Sequence, residues 1–387
     1  MREYQICKRC VMDTTDPEIV FDERGYCHHC NGYFKGLASR KPASVLELKL
    51  KRLVERIKKR GAGKEYDCVM GLSGGCDSSY LAFKVVELGL RPLTLHFDSG
   101  WNTETSTQNI ERVVKKLDLD LYTIVCDWEE MRDLQRSFFR ASLVNCDTPQ
   151  DHAFIAALYQ ITIQRRVHYW VGGHDYLGSE SILPLTWRGY DSRDWRHIRG
   201  VHRLMGGKPL KRYPHFNLFK LFVAHPLFYR IKPINLFSYS HYDKVKAKEF
   251  LVREVGWKDY TGKHNESVFT RFFQGYYLPK KFGYDKRKAH LSSLVVSGQI
   301  SRDDALKELS TPFFSEEQSQ NELEYVLKKL GFTQPEWDAI MALPPKDEQA
   351  YPNNRKWLDL HFKLDFKIRS AGGRIKRRLV GLAPSLR

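Results

Sequence analysis

The residues with the clearest chemistry are six consecutive positions, Ser73-Gly74-Gly75-Cys76-Asp77-Ser78. The two glycines let the backbone approach a phosphate without Cβ clashes, and the two serines add hydroxyl donors. A carboxylate among phosphate contacts makes sense when it holds a cation such as Mg²⁺. A plain Gly-Gly turn would not explain Ser, Asp and Ser at these offsets. The six residues therefore predict a phosphate-binding loop with Asp77 as a magnesium ligand.

The segments on either side of this loop predict how the fold presents it. The apolar run 68–72 suits a buried parallel strand, and the helical periodicity of residues 78–88 follows closely. Gly89 stands where the C-terminal cap of that helix belongs, and residues 91–97 indicate a second strand. This order of strand, loop, helix and strand puts the free N–H groups of a helix N-terminus beside the glycines.

Four cysteines form a second candidate site near the N-terminus. They occur as two pairs, Cys7-x2-Cys10 and Cys27-x2-Cys30, with sixteen residues between the pairs. Two residues between thiols let one tight turn aim both sulfurs at one metal, and two such turns complete a tetrahedron. The spacing predicts a zinc ribbon with a structural metal. Iron in place of zinc, and two unrelated turns with free thiols, are the alternatives.

The phosphate loop resembles the SGGxDS motif of the PP-loop ATP pyrophosphatases. It matches neither the Walker A pattern GxxxxGK[ST] nor the dinucleotide pattern GxGxxG. The resemblance implies an α/β fold with a doubly wound parallel sheet, and cleavage of ATP to AMP and pyrophosphate. The ATP contacts that it implies around the loop are Gly71, Leu72, Ser73, Gly74, Gly75, Asp77 and Ser78.

Two later segments, 121–125 and 169–171, indicate further strands of the same sheet, with a helix from Asp147 to about residue 166 between them. Ligands of such folds bind at the carboxyl ends of parallel strands, which makes Asp98 and Gly173 candidates for ATP contacts. The superfamily resemblance implies an acidic, glycine-rich loop after the fourth strand, so Asp175 is the candidate for a second Mg²⁺ contact. An ordinary loop carboxylate or helix cap is the alternative for Asp175.

Two longer patterns narrow the resemblance. Residues 7–30 show CxxCVMDTTDPxIxFDxxGxCxxC, and residues 262–293 show GKHxESxFTRFxQxYYLPxKFGxDKRKAHLSS. Together with the phosphate loop they resemble the N-acetyl sugar amidotransferase family, the WbpG-like and PseA-like proteins of bacterial lipopolysaccharide O-antigen and flagellar glycan biosynthesis. The resemblance implies that ATP adenylates the acetamido oxygen of a nucleotide-activated or nonulosonic sugar. Ammonia then displaces AMP and leaves an acetamidino group.

The second pattern places basic residues among aromatic ones, which suits the binding of a polyphosphate. Lys263 and Arg271 are predicted to stabilise charge during catalysis, and Lys286 and Arg287 to contact ATP. The alternative is a packed helix pair over which Lys and Arg side chains extend to solvent.

The source of ammonia is predicted to be another protein. Position 2 is Arg2 rather than a catalytic cysteine, and the ribbon begins too early for a glutaminase domain to precede it. The family resemblance implies a HisH-like glutaminase and a HisF-like ammonia-channelling subunit as partners.

A PP-loop tRNA-modifying enzyme of the thiolation type is the rival function. The net charge of +17 and the stretch 187–213, rich in Arg and aromatic residues, would suit RNA. The sequence shows no recognisable RNA-binding module, and the cysteines outside the ribbon lack CxxC spacing. The sugar function is therefore preferred, and no nucleic-acid partner is expected.

The 387 residues predict three parts: a zinc-ribbon module at 1–40, a PP-loop domain at 41–300 with an insertion at 181–240, and a helical C-terminal region with a basic tail at 301–387. No window approaches the ~20 apolar residues that span a bilayer, and the N-terminus has no apolar core of the secretory type. These features predict a cytoplasmic protein with ATP, Mg²⁺ and structural Zn²⁺ as cofactors.

Overall fold

The computed structural model describes residues 3–260, 265–361 and 363, and its centre is a five-stranded parallel sheet. The strands are β1 (Cys68–Gly71), β2 (Pro92–Asp98), β3 (Leu121–Val125), β4 (Tyr169–Gly172) and β5 (Lys232–Asn235). Their spatial order is β3-β2-β1-β4-β5, so the winding reverses beside β1. Such a reversal opens a crevice at the carboxyl ends of the central strands. The α/β class and the parallel sheet expected from the sequence are confirmed.

Helices cover both faces of this sheet. Those of the amino-terminal and central segments are α1 (His28–Ala38), α2 (Ala43–Gly61), α3 (Cys76–Glu87), α4 (Glu104–Leu117), α5 (Trp128–Arg140), α6 (Thr148–Gln164), α7 (Leu185–Arg188) and α8 (Trp195–Met205). Those of the carboxyl-terminal half are α9 (Lys244–Val255), α10 (Val268–Phe272), α11 (Leu278–Phe282), α12 (Lys286–Val296), α13 (Arg302–Ser310), α14 (Glu316–Leu330) and α15 (Gln334–Ala342). The described residues also form two π-helices (Lys220–Phe228 and Phe273–Tyr277), two 3₁₀ turns (Leu236–Ser238 and Glu348–Ala350) and a helix that begins at residue 355. Within the described part of the chain, no helix is both long enough and apolar enough to cross a membrane.

The strand β1 is buried on both faces, as its continuous apolar sequence requires. Val69 packs into the core formed with α5, α6 and the carboxyl-terminal helices. Cys68 and Met70 point to the opposite face, where α2, α3 and α9 cover them. Because neither face of β1 meets water, the loop that follows it starts from a rigid position.

The strand β5 was not expected, because its sequence lies inside the segment interpreted as an insertion. It pairs only with β4, with Tyr169 opposite Lys232 and Gly172 opposite Asn235. An edge strand needs neither a continuous apolar run nor a full set of ladder donors, so Lys232 and Pro233 are tolerated there. The segment therefore completes the sheet and leads toward the phosphate loop.

The cysteine-rich N-terminal segment packs against α12 and the nearby Trp187. All four cysteines share an apolar cluster with Trp187, Ala289 and Val296. The Arg302 guanidinium donates to the carbonyl oxygens of Cys7 and Cys10 at 3.0 Å each. The ribbon is thus held by the same helices that belong to the carboxyl-terminal half.

Candidate functional site

The six-residue loop between β1 and α3 has the backbone that its glycines predicted. Gly74 has φ +79°, and a Cβ at this position would lie 2.4 Å from the carbonyl oxygen of Ser106. Only glycine fits such a conformation and such a close approach. The Ser73 N–H donates to the Ser78 hydroxyl at 3.2 Å, and that hydroxyl donates to the Gly75 carbonyl at 3.2 Å. The serines therefore shape the loop while Gly74 lets it pack tightly.

Side chains from the segment after α9 hold the loop from outside. The Gly74 carbonyl accepts hydrogen bonds from Trp257 Nε1 at 2.9 Å and from the Tyr260 hydroxyl at 2.7 Å. Asn109 Nδ2 also donates to the Tyr260 hydroxyl, at 3.0 Å. These donors fix the Gly74 carbonyl, and the loop leads directly into the N-terminus of α3, where the N–H groups of the first turn suit a phosphate.

Asp77, the predicted magnesium ligand, has two donors that the sequence did not reveal. Lys244 Nζ donates to Asp77 Oδ2 at 3.0 Å, and the Tyr242 hydroxyl donates to Asp77 Oδ1. The Lys244 side chain is only 11% exposed; desolvation lowers the pKa of its ammonium, but the interactions with Asp77 and other neighbouring groups together outweigh desolvation and raise this pKa. A largely buried cation therefore stands at the first turn of α3, beside the place predicted for the phosphates.

A carboxylate from the segment before α10 approaches the same loop. A Cβ on Gly75 would lie 2.9 Å from Glu266 Oε1, so this carboxylate stands directly over the loop. Asp147, at the start of α6, is buried, and desolvation together with the Asp151 and Glu266 charges raises its pKa to about 7, although Lys286 and Thr270 act in the opposite direction. The predicted ATP contact Lys286 thus lies near Asp147, which in turn senses the charge of Glu266.

The loop after β4 brings a histidine into the same site. His174 Nδ1 lies 3.5 Å from Glu180 Oε2, and this carboxylate, with further contributions from Asp77 and Asp151, raises the pKa of His174. Neither His174 nor Glu180 was assigned a role from the sequence, although both stand in the acidic loop recognised there.

Asp98 closes its own turn at the carboxyl end of β2. Its Oδ1 accepts from the Gly100 N–H at 2.8 Å and from Asn102 Nδ2 at 2.9 Å. Asn102 Nδ2 also lies 3.0 Å from His96 Nε2. These residues line a cleft of about 730 Å³ that extends to Thr123. A cleft of this size lies within the range of small-molecule sites.

Two basic residues that were predicted to act in catalysis or to bind ATP contact other residues of the chain. Arg271 pairs with Glu322 of α14. Arg287 forms a two-pronged contact with Asp285 and donates to the Thr311 carbonyl at 2.7 Å, so it fastens α12 to the segment after α13. The predicted catalytic Lys263 lies outside the described residues.

Asp175, the candidate for a second Mg²⁺ contact, makes the kind of contact that a loop carboxylate makes, and its role as a metal ligand stays a prediction. Its buried Oδ2 accepts from the Ser179 N–H at 2.6 Å, which caps the turn that follows β4. Gly173 is packed against an aromatic ring, because a Cβ there would lie 2.8 Å from Phe237. Gly71 is equally crowded by Phe154, and the Leu72 carbonyl lies 3.2 Å from His96 Nδ1. These contacts hold the ends of β1 and β4, and with them the phosphate loop, in place.

The four cysteines fit a tetrahedral metal. All are buried, and their sulfurs lie within 4.8 Å of one another. The Sγ–Sγ distances are 3.9 Å for Cys7 and Cys30 and 3.7 Å for Cys10 and Cys27. Thiolates about 2.3 Å from zinc in a tetrahedron lie roughly 3.8 Å apart. Backbone N–H groups also point at the sulfurs, as at Cys27 N to Cys7 Sγ, 3.2 Å. The set is therefore suited to a structural zinc or iron ion.

One known protein family matches part of this chain. Residues 266–364 match the family described as LPS biosynthesis protein WbpG-like, C-terminal domain. The match confirms the resemblance to WbpG-like proteins over these residues. None of the curated proteins matches the chain.

Two solved structures are similar at low identity. NH3-dependent NAD synthetase from Campylobacter jejuni, in complex with the nitrate ion, is 18% identical with a TM-score of 0.27, over 37% of this chain and 60% of that one. NMN synthetase from Francisella tularensis is 17% identical with a TM-score of 0.28, over 60% of this chain and 93% of that one. The chain thus spans 60% of the length of the Campylobacter enzyme.

Proposed function

We propose that this chain, which carries a WbpG-like C-terminal domain, is the synthetase component of an ATP-dependent sugar amidotransferase. Its substrate is a nucleotide-activated or nonulosonic sugar with an N-acetyl group, and its product carries an acetamidino group in the same place. The setting is the cytoplasmic synthesis of a bacterial surface polysaccharide such as lipopolysaccharide O-antigen, or of a flagellar glycan.

One observation supports this proposal above the others. Glu266 is the first residue of the segment that matches the WbpG-like domain, and its carboxylate stands over Gly75 of the phosphate loop. The Thr103 N–H donates to the Glu266 carbonyl at 3.0 Å, which fixes this segment to the turn after β2. The family-specific part therefore adjoins the phosphate loop, which supports the proposal that the two act in a single site.

The reaction balances as amide, ATP and ammonia giving amidine, AMP and pyrophosphate. The amide oxygen attacks the α-phosphorus and pyrophosphate leaves; ammonia then adds to the imidate carbon and AMP leaves. An amide is a poor electrophile, and adenylation supplies the leaving group that it lacks. The phosphates would be held by the loop N–H groups and by the hydroxyls of Ser73 and Ser78.

The first step develops negative charge on the departing pyrophosphate, and two partly buried lysines are placed to stabilise it. Lys244 stands beside Asp77, and Lys286 stands beside Asp147. Both would offset the negative charge of the departing pyrophosphate. Mg²⁺, for which Asp77 is the proposed ligand, would supply further charge stabilisation when bound. Glu266 is the carboxylate over the loop and would accept the proton that ammonia loses.

Ammonia is proposed to come from a glutaminase partner through a channelling subunit, as the family resemblance implies. The isolated chain should then use high ammonium but not glutamine. Glutamine-dependent AMP release by the chain alone would contradict this assignment.

The direct test is mass spectrometry of UDP-N-acetyl sugars and other N-acetyl sugars incubated with the chain, ATP, Mg²⁺ and ammonium. Replacing O by NH lowers the sugar mass by about 1 Da, and AMP and pyrophosphate should appear in equal amounts. Asp77→Asn serves as the inactive control. AMP formation stimulated by tRNA and not by any sugar would instead support the tRNA-modifying function.

A further inference from the structure

The amino ends of the strands carry a basic face, opposite the phosphate loop. His168 lies immediately before β4, and its Nδ1 lies 3.3 Å from the Tyr229 carbonyl, next to Arg230. Lys64 Nζ donates to the Arg166 carbonyl at 2.6 Å, and the Arg60 guanidinium lies 5.9 Å from the centre of the Tyr169 ring. Burial and these three cations lower the pKa of His168. The Lys232 N–H donates to the His168 carbonyl at 2.9 Å, so Lys232 joins the same face. Cations from three distant segments thus meet at one end of the sheet.

An exposed apolar projection stands at the edge of this face. Residues 226–230, Pro-Leu-Phe-Tyr-Arg, are exposed without interruption at the end of the first π-helix. Leu227 is 65% exposed and Phe228 is 71% exposed. Phe219, 60% exposed, lies two turns earlier, and in a π-helix residues roughly four to five positions apart share a face. We call Phe219, Leu227, Phe228 and Tyr229 the apolar tip.

Acidic residues are absent from the stretch of sequence that contains the tip. Residues 195–242 contain nine Lys and Arg and no Asp or Glu, although Lys208 and Arg212 pair with Glu129 and Asp127. On the neighbouring segment Glu65 lies 3.7 Å from Arg165, where it neutralises one cation of the face. The remaining cations leave the face positive. Large apolar side chains held at the surface among cations are unusual for a face that meets only water.

We propose that the basic face and the apolar tip bind the surface of an anionic lipid bilayer, with the tip entering the headgroup region. Cations are attracted to anionic headgroups, and exposed Leu and Phe side chains gain by leaving water for the acyl boundary. Nucleic acid would satisfy the cations but would offer no apolar environment to Leu227. A bilayer satisfies both parts of the surface at once.

The carboxyl-terminal segment 364–387 favours the same partner. It contains seven Lys and Arg against one Asp. The chain reaches its start beside the tip, because the His361 ring stacks on Phe222 of the π-helix at 3.7 Å. A segment of this charge is repelled by the basic face, so it is unsuited to cover the tip. It is suited to the same anionic surface.

The geometry also sets the orientation of the bound protein. The strands run from the basic face to the carboxyl ends, where the phosphate loop and Lys244 lie. Docking by the amino ends therefore turns the phosphate loop away from the bilayer. Nucleotide and sugar would still reach the site from the aqueous phase while the protein rests on the membrane.

The test is flotation of the full chain with lipid vesicles. Phosphatidylcholine vesicles containing phosphatidylglycerol should retain at least ~10-fold more protein than phosphatidylcholine alone, and high salt should reduce this retention. The variant L227S/F228S should lose most of the retention, and R230Q/K232Q should lose part of it. Thermal unfolding and ATP binding of both variants should match the wild type, because neither change touches the phosphate loop.

The matched control replaces two exposed apolar residues elsewhere, L185S/V252S, at positions that are 71% and 51% exposed. Its retention should stay at the wild-type value. Equal retention by both kinds of vesicle, or none, would overturn the proposal. Full retention by L227S/F228S would overturn it too, because the carboxyl-terminal segment alone would then account for binding. The face would be assigned to RNA instead if tRNA displaced the vesicles and if tRNA affinity were lost in R230Q/K232Q but unchanged in L227S/F228S.

Discussion

Lys244 Nζ donates to Asp77 Oδ2 at 3.0 Å, although 167 positions separate the two residues in the chain. The contact exists because β5 runs parallel to β4, so that the segment from Phe237 to Lys244, which follows the carboxyl end of β5, reaches the first turn of α3. The loop sequence alone shows a carboxylate among phosphate contacts. The structure adds a largely buried cation beside it.

Replacing Lys244 should therefore impair chemistry without unfolding the protein. We expect Lys244→Met to slow ATP-dependent AMP formation by roughly 100-fold, because one preorganised charge at the phosphates is lost. Lys246→Met is the control, since Lys246 lies on the same helix but is exposed beside Asp243. Quenched-flow measurement of AMP formation with saturating sugar and ammonium distinguishes them. Equal rates in the two variants would remove Lys244 from the site.

Gly74 can be tested against Gly63, a second glycine with a positive φ, by replacing each with alanine. Gly74→Ala must adopt φ +79° and place its Cβ 2.4 Å from the Ser106 carbonyl. Gly63→Ala must adopt φ +75° but meets open space. The positive φ alone costs about 1–2 kcal/mol, so G63A should show that loss only. G74A should in addition lose ATP affinity, as measured by calorimetry. Unchanged ATP binding by G74A would show that the loop does not hold phosphate.

Local patterns predicted the parts of the fold that depend on neighbouring residues. The third strand was placed at 121–125 and is found there, and the helix after the loop ends where Gly89, with φ +68°, follows it. The ribbon cysteines were likewise predicted by spacing, because a CxxC turn is a local structure. Residues such as Lys244 and Glu266 were not assigned, because their positions depend on a strand, β5, whose sequence carries no strand pattern.

The roles predicted for the basic residues show the same limit of reasoning from sequence alone. Charge and aromatic neighbours made Arg271, Lys286 and Arg287 equivalent candidates. Sequence composition does not show which cation already has a partner. Arg271 is engaged by Glu322 and Arg287 by Asp285, whereas Lys286 acts on Asp147 within the site.

The neighbours Lys286 and Arg287 should consequently respond in opposite ways to substitution. Lys286→Met should raise the Michaelis constant for ATP or lower kcat by roughly tenfold or more, with little change in the melting temperature. Arg287→Met should lower the melting temperature by a few degrees, because the contacts of α12 with Asp285 and the Thr311 carbonyl are lost, and should leave ATP kinetics near the wild type. Steady-state kinetics and calorimetry on both variants test the pair. A kinetic loss confined to Arg287→Met would reverse the assignment.

The four-cysteine cluster predicts about one metal ion per chain. Elemental analysis should find zinc or iron in the wild type, and Cys10→Ser should lose it together with several degrees of melting temperature. The stability loss follows because the ribbon packs on Trp187, Ala289 and Val296. Cys126→Ser, at a half-buried position away from the cluster, should keep the metal. A metal-free wild type that is as stable as the loaded protein would contradict the prediction.

The surroundings of Asp147 predict how the free energy of unfolding depends on pH. Burial and the charges of Asp151 and Glu266 raise its pKa from 3.8 to about 7, so the folded state holds a proton that the unfolded state releases near pH 4. Stability contributed by protonated Asp147 is present below pH 4 and is lost as the pH rises from about 4 to 7. Asp147→Asn keeps an oxygen to accept from Thr270 and removes the charge. The variant should match the wild type near pH 4 and exceed its free energy of unfolding by about 1–4 kcal/mol at pH 8. Urea unfolding at both pH values measures this difference, and a variant less stable than the wild type at pH 8 would show that Asp147 is charged and stabilised in the fold.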